Sequence, residues 1–150
     1  MNVKQELERV FGAPERVQFN DVEIDPLKIQ GVMINEVVPA DPAQNFYGGS
    51  GADYLSTTIP LFQEAGLEVN RIQEILELGV YLTNAVKTPK SAYAIEKSCF
   101  ENSLPFLEKE LGLFPNVKVI LLMGDVAKKA FNRIAKKATG KNVIPSAATY

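Results

Sequence analysis

Val117-Lys118-Val119-Ile120-Leu121-Leu122-Met123-Gly124-Asp125-Val126-Ala127-Lys128-Lys129-Ala130 is the stretch that decides the fold. Val119 to Met123 is an uninterrupted apolar run of the kind a buried parallel strand shows. Gly124-Asp125 then turns directly into a helix over 126–137, on which Val126, Ala127, Ala130, Ile134 and Ala138 supply a buried stripe. Strand passing at once into helix is the repeating unit of an α/β domain. Two more such units lie upstream. Gly79-Val80-Tyr81-Leu82-Thr83-Asn84-Ala85-Val86 is rich in strand formers, and Gly31-Val32-Met33-Ile34 is a shorter apolar run. Three apolar strands, each followed by helix, predict a three-layer α/β sandwich about a central, mainly parallel sheet.

The helices follow from periodicity and punctuation. Val3, Leu7, Val10 and Phe11 share one face of a helix over 2–11 that Gly12 stops. A segment over 53–65 carries Pro60, Asn70 is expected to cap a helix through Leu78, and 91–112 reads as two packed helical pieces divided at Pro105. With no internal repeat, low-complexity stretch or linker, residues 1–150 read as one domain.

Composition limits the chemistry. The 150 residues include one Cys and no His, which excludes a disulfide framework and any zinc or iron-sulfur site built from this chain's own cysteines. No metal and no cofactor is therefore expected, and catalysis would fall to carboxylates, amides, hydroxyls or lysines. The apolar runs are far shorter than the 18 or so residues of a membrane span, and the first residues hold no apolar signal core, so a cytoplasmic protein without membrane contact is expected. The formal net charge of -2 hides an asymmetry: residues 126–150 carry Lys128, Lys129, Arg133, Lys136, Lys137 and Lys141 and no acid. Such a helix is either a phosphate-binding face or simply a solvated one.

In parallel sheets ligands bind outside the carboxyl ends of the strands. Glu36 and Asp41 follow the first strand; each is either a carboxylate that positions water or a loop acid that caps a turn. Asn84 ends the second strand, where an amide either reads a base edge or satisfies the sheet end. Phe46 and Tyr47 offer an aromatic face beside Gly48-Gly49-Ser50-Gly51, a backbone able to cradle one phosphate, although Phe46 also suits a core plug. Lys87, just past the second strand, joins the candidate phosphate contacts with Arg133, Lys136 and Lys137.

In order and spacing these pieces resemble the uracil-DNA glycosylase superfamily, in particular its branch that usually carries an iron-sulfur cluster. Ile34-Asn35-Glu36-Val37-Val38-Pro39-Ala40-Asp41 is similar to the first motif. Phe46 to Ala52 is similar to the aromatic-and-glycine stretch, Thr83-Asn84-Ala85-Val86-Lys87-Thr88-Pro89 to the second-strand motif, Ser103-Leu104-Pro105-Phe106-Leu107 to the cluster helix, and Leu122 to Ala127 to the third-strand turn. Thr88 and Ser103 stand where two cluster cysteines would be, so the resemblance implies the scaffold without the cluster. The His-Pro-Ser loop of the family's last motif is absent, and Ile144-Pro145-Ser146 only echoes it.

The resemblance implies a DNA-repair hydrolase that cleaves the glycosidic bond of a uracil flipped out of DNA. Asn84 would read the base, Phe46 stack on it, Glu36 or Asp41 position the attacking water, with Glu36 favoured, and Gly48, Gly49, Ser50 and the basic helix hold phosphates. The rival readings are a non-catalytic nucleic-acid or nucleotide-binding domain on the same scaffold, and a general α/β interaction module without a base pocket.

The purified protein is expected to be colourless and iron-free, because Cys99 by itself cannot complete a four-ligand cluster. Metal analysis after anaerobic purification checks this, and stoichiometric iron would contradict it.

Overall fold

A computed structural model describes residues 1–89 and 95–139 of the chain. Strands β1 (Gly31–Val37), β2 (Val80–Val86) and β3 (Val119–Leu122) pair in parallel in the order β2-β1-β3. Gly31 is level with Val80 and Val119, and Asn35 is level with Asn84. The helices are α1 (Val3–Phe11), α2 (Asp53–Glu64), α3 (Ile72–Glu77), α4 (Lys97–Leu111) and α5 (Asp125–Thr139).

Alternation along the strands sorts the core into two layers. Val32 and Ile34, with Tyr81 and Ala85, pack against Leu7 of α1, Leu107 of α4, and Ala127 and Ala130 of α5. Met33 and Leu82 point the other way, onto Phe46, Leu55 and Phe62 and onto Ile72 and Ile75 of α3. This is the expected three-layer α/β arrangement. Among the described residues no helix is long and apolar enough to cross a membrane.

Local signals explain most boundaries. Asn2 caps α1 by accepting the Gln5 N–H at 3.0 Å, and Gly12 leaves the helix at φ +73°. Two expectations need correction. Pro105 does not divide α4: the helix runs unbroken for 15 residues with Pro105 exposed on its outer side, so the carbonyl deprived of a partner can face water. The N-cap of α3 is Arg71 rather than Asn70, and it is the Asn70 N–H that donates back to the Glu74 carboxylate at 3.3 Å. Cys99 is half-buried in the first turn of α4, ahead of the inner stripe Ser103, Leu107 and Glu110.

β2 is sealed by side chains. The Tyr47 hydroxyl donates to the Leu82 carbonyl at 2.9 Å and accepts from the Leu82 N–H at 3.0 Å, while Tyr47 stacks on Tyr81 with centroids 5.9 Å apart. Beneath lies a buried polar network. Glu110 is fully buried and accepts from Tyr81 at 2.5 Å, from Thr83 at 2.9 Å and from the Lys87 ammonium at 2.5 Å. Asn20 donates to the Tyr81 hydroxyl at 2.8 Å. Burial, reinforced by the Glu110 charge, pushes the Tyr81 phenol well above its ordinary range, so it stays a proton donor. Burial likewise raises Tyr47.

The network ties α4 to β2, and its members are worth more together than apart. Glu110→Ala strands the Lys87 ammonium in the core and is expected to cost about 3–5 kcal/mol, whereas Lys87→Met with Glu110→Leu is expected to recover most of that loss. Urea denaturation of the three proteins checks the difference.

Candidate functional site

At the carboxyl end of β1, alternation again decides what meets what. Asn35 has the parity of Met33 and faces the α2 side, as does Asn84, its partner in the register. Glu36 has the parity of Val32 and Ile34 and faces the α5 side. Its Oε2 accepts the Val126 N–H at 3.1 Å, so Glu36 caps the first turn of α5 from a strand 90 residues away in sequence. Space for that carboxylate exists because residue 124 is glycine: a Cβ there would lie 2.6 Å from the Glu36 Cδ, and the backbone sits at φ +121°. Asp41 is exposed and caps the 3-10 turn Pro42–Gln44 by accepting the Ala43 N–H at 3.0 Å. Glu36 thus lies on the face of the sheet opposite Asn84.

The amides, in contrast, do converge. Asn84 is 1% exposed, and its Nδ2 donates to the Asn45 Oδ1 at 3.0 Å. The same Oδ1 accepts the Phe46 N–H at 3.0 Å, which fixes Asn45 with its oxygen inward and hence Asn84 with its nitrogen toward Asn45. The Asn84 Oδ1 is thereby left as a buried acceptor without a partner. Among the described residues three further buried polar atoms lack partners: Asn35 Nδ2, Gln18 Oε1 and Thr88 Oγ1. Asn35 pairs with Asn84 in the register, Gln18 donates its N–H to the Lys87 carbonyl at 2.8 Å, and Thr88 is the next residue. Asn35 and Asn84, level in the register, therefore bring two unpaired groups to the carboxyl ends of β1 and β2, and Thr88 follows two residues past the end of β2. Buried polar groups without partners are uncommon, and their collection in one place marks where a ligand would complete them.

Phe46, on the same side of the sheet, is 1% exposed and meets Tyr54 edge-on with centroids 5.5 Å apart. It acts here as a core plug, the alternative its sequence position offered. Gly48 is required by its own loop, since a Cβ would run into the Ala43 carbonyl. The glycine run does not make one cradle: Gly48 lines a cavity of 560 Å³, while Gly49 and Ser50 line another of 360 Å³, with Tyr47 between them.

One charged expectation is corrected. Lys87 does not present its ammonium to solvent for a phosphate, being 2% exposed and spent on Glu110 and Thr83. The basic helix does meet acids, which α4 supplies: Arg133 approaches Glu101 at 3.8 Å and Lys137 approaches Glu108 at 3.3 Å. Lys128 is buried and lies 3.5 Å from Asp125, while Lys129, Arg133, Lys136 and Lys137 are all exposed. Lys141 and Ile144-Pro145-Ser146 lie outside the described residues. Ser103, which stands where the resemblance puts a cluster cysteine, accepts the Lys87 N–H at 2.9 Å, one residue before Thr88. Among the described residues, no three His, Cys, Asp or Glu side chains group closely enough to hold a metal ion.

Comparison with known families matches residues 51–149 to the uracil DNA glycosylase superfamily, and the chain belongs to that superfamily. No match emerges among curated proteins or among solved structures.

The position of Glu36 carries its own test. Glu36→Ala removes an acceptor from the N-terminus of α5 and is expected to cost about 1 kcal/mol, whereas Glu36→Gln keeps a carbonyl oxygen for the Val126 N–H and is expected to cost less. Thermal unfolding of the two variants separates these outcomes.

Proposed function

We propose that the chain acts on DNA as a glycosylase of its superfamily, taking a uracil turned out of the strand at the carboxyl ends of β1 and β2. The observation that carries this is the Asn84 carboxamide, held by Asn45 with a buried acceptor unpaired. A uracil edge offers an imide N–H between two carbonyls. The Asn84 Oδ1 suits the N–H, and the neighbouring Asn35 Nδ2 suits a carbonyl. A base reaching them must displace the segment Asn45 to Tyr47, and Phe46 then offers it a ring to stack on.

Glu36 is engaged at the α5 terminus on the opposite face. Asp41, exposed in the loop above the strand ends, is therefore the carboxylate with freedom to orient water. Cleavage passes through an oxocarbenium-like sugar and a uracil anion, so the fixed amide donors would act on the developing charge of the base. Lys129 and Lys136 supply sequence-independent attraction to phosphates.

A second reading, a binding domain that does not cleave, draws support from the same commitment of Glu36 and from the sealed position of Phe46. Uracil release from single-stranded and duplex oligonucleotides separates the two. Wild type releases uracil on the first reading, and Asp41→Asn releases far less. Asn84→Ala is expected to weaken binding of uracil-containing DNA by about 1–3 kcal/mol with little change in melting temperature. Unchanged affinity would remove Asn84 from base reading, and a protein that binds but never releases uracil would establish the second reading.

A further inference from the structure

β3 has the composition of an interior strand and the position of an edge. Val119-Ile120-Leu121-Leu122, continued by Met123, is the continuous apolar run that parallel strands carry when both their faces are covered. Yet β3 ends the sheet among the described residues, and Val119, Leu121 and Met123 are 53%, 42% and 36% exposed. Alternation puts these three on the face away from α5, since Ile120 and Leu122 pack into the core layer that holds α5. The other edge of the sheet is closed: the Tyr47 hydroxyl and the Gln18 N–H take up outer backbone groups of β2 at Leu82 and Lys87. A bare edge pairs with another chain unless charges or prolines blunt it, and Val119–Leu122 contains neither.

The backbone groups on this edge are few and fixed. The Val119 N–H donates to the Gln30 carbonyl at 3.2 Å, and the Met123 N–H to the Ile34 carbonyl at 2.8 Å. Alternate residues of a parallel ladder bond to the same neighbour, so Ile120 and Leu122 turn their N–H and C=O outward. On either side the supply stops, because the Lys118 N–H donates to Gln30 at 2.8 Å and the Gly124 carbonyl accepts the Lys128 N–H at 3.1 Å. One antiparallel pairing of this edge with itself uses both outward residues, with Ile120 opposite Leu122 of a second copy and Leu122 opposite its Ile120. That register sets Leu121 against Leu121 on a two-fold axis and Val119 against Met123, so each exposed apolar side chain meets another in a close, non-hydrogen-bonded pair. It also brings the exposed Lys118 opposite Gly124 and beside Asp125, whose side chain is 70% exposed and lies 3.5 Å from Lys128. Opposite charges thus meet at both ends of the pairing.

We infer that β3 is a dimerisation edge, on which a second copy of this chain adds its own β3 antiparallel and joins the two sheets into one. The interface is isologous, the same strand serving both subunits. The chain after Thr139 is a poorer occupant, since Pro145 follows Val143-Ile144 and cannot donate to a ladder. The pairing uses no residue of the Asn84 pocket.

Sedimentation velocity on the full chain over a concentration series tests this. A monomer–dimer equilibrium is expected, in the weak class that a small interface supports. Leu121→Lys sets two ammonium groups against each other on the axis and is expected to weaken the dimer at least roughly tenfold, with little change in monomer melting temperature because the position is exposed. Cross-linking in a Cys99→Ser background reads the register: Leu121→Cys forms an intersubunit disulfide on air oxidation, whereas Val119→Cys, whose neighbour across the axis is Met123, does not. Should Leu121→Lys fail to fold, the cysteine comparison still decides. The inference is overturned if the protein is monomeric at every concentration, if Leu121→Lys dimerises as wild type does, or if Val119→Cys cross-links as readily as Leu121→Cys. A monomer whose Ile120 and Leu122 amides resist hydrogen exchange would also overturn it, by assigning the edge to another segment of the same chain.

Discussion

A strand shows successive side chains to opposite faces, and in β1 this rule divides the polar end of the sheet into two unlike halves. Met33 and Asn35 look toward α2 and α3; Ile34 and Glu36 look toward α5. A shift of one residue in the register with β2 would exchange these halves and expose the apolar set along with them. The parallel pairing of β1 between two partners thus sets which polar groups are neighbours: amide beside amide on one side, carboxylate against a helix terminus on the other. The candidate pocket is a consequence of that pairing rather than of any one loop.

The second constraint is the buried charge under β2. Lys87 and Glu110 are costly to bury singly, and they are stable in the core because hydroxyls from Tyr81 and Thr83 complete the coordination of the carboxylate. Their effect is positional. They hold β2 and α4 in one register, which keeps Ser103 against the Lys87 N–H and leaves the strand end, where Asn84 sits, with little freedom to move.

Much of this fold is legible in the sequence, and the reasons are local. Apolar runs at 31–34, 79–86 and 119–123 mark the three strands, and Asn2 and Gly12 bracket α1, because each signal is contained in a few adjacent residues. What escapes depends on distant partners. Lys87 reads as a surface cation until Glu110 is seen on the same stripe as Ser103 and Leu107, a spacing of four and three that places it inward. The basic face of α5 reads as uncompensated because its acids, Glu101 and Glu108, belong to another helix. Asn84 is recognisable as a strand-end amide, whereas Gln18 and Asn45 lie in irregular segments where no periodicity distinguishes them. Glu36 is identifiable as notable, but its engagement with α5 depends on the face it occupies and on a glycine far along the chain.

The hydrogen bond from Val126 to Glu36 also bears on the order of assembly. Its two ends are separated by 90 residues, so α5 has no acceptor for that N–H until β1 and β3 have come side by side. Before then the first turn of α5 must rely on water and its own weak propensity to stay wound. The start of the last described helix is consequently tied to a strand laid down far earlier in the chain, and the side chain of Glu36 supplies the acceptor on which its first turn rests.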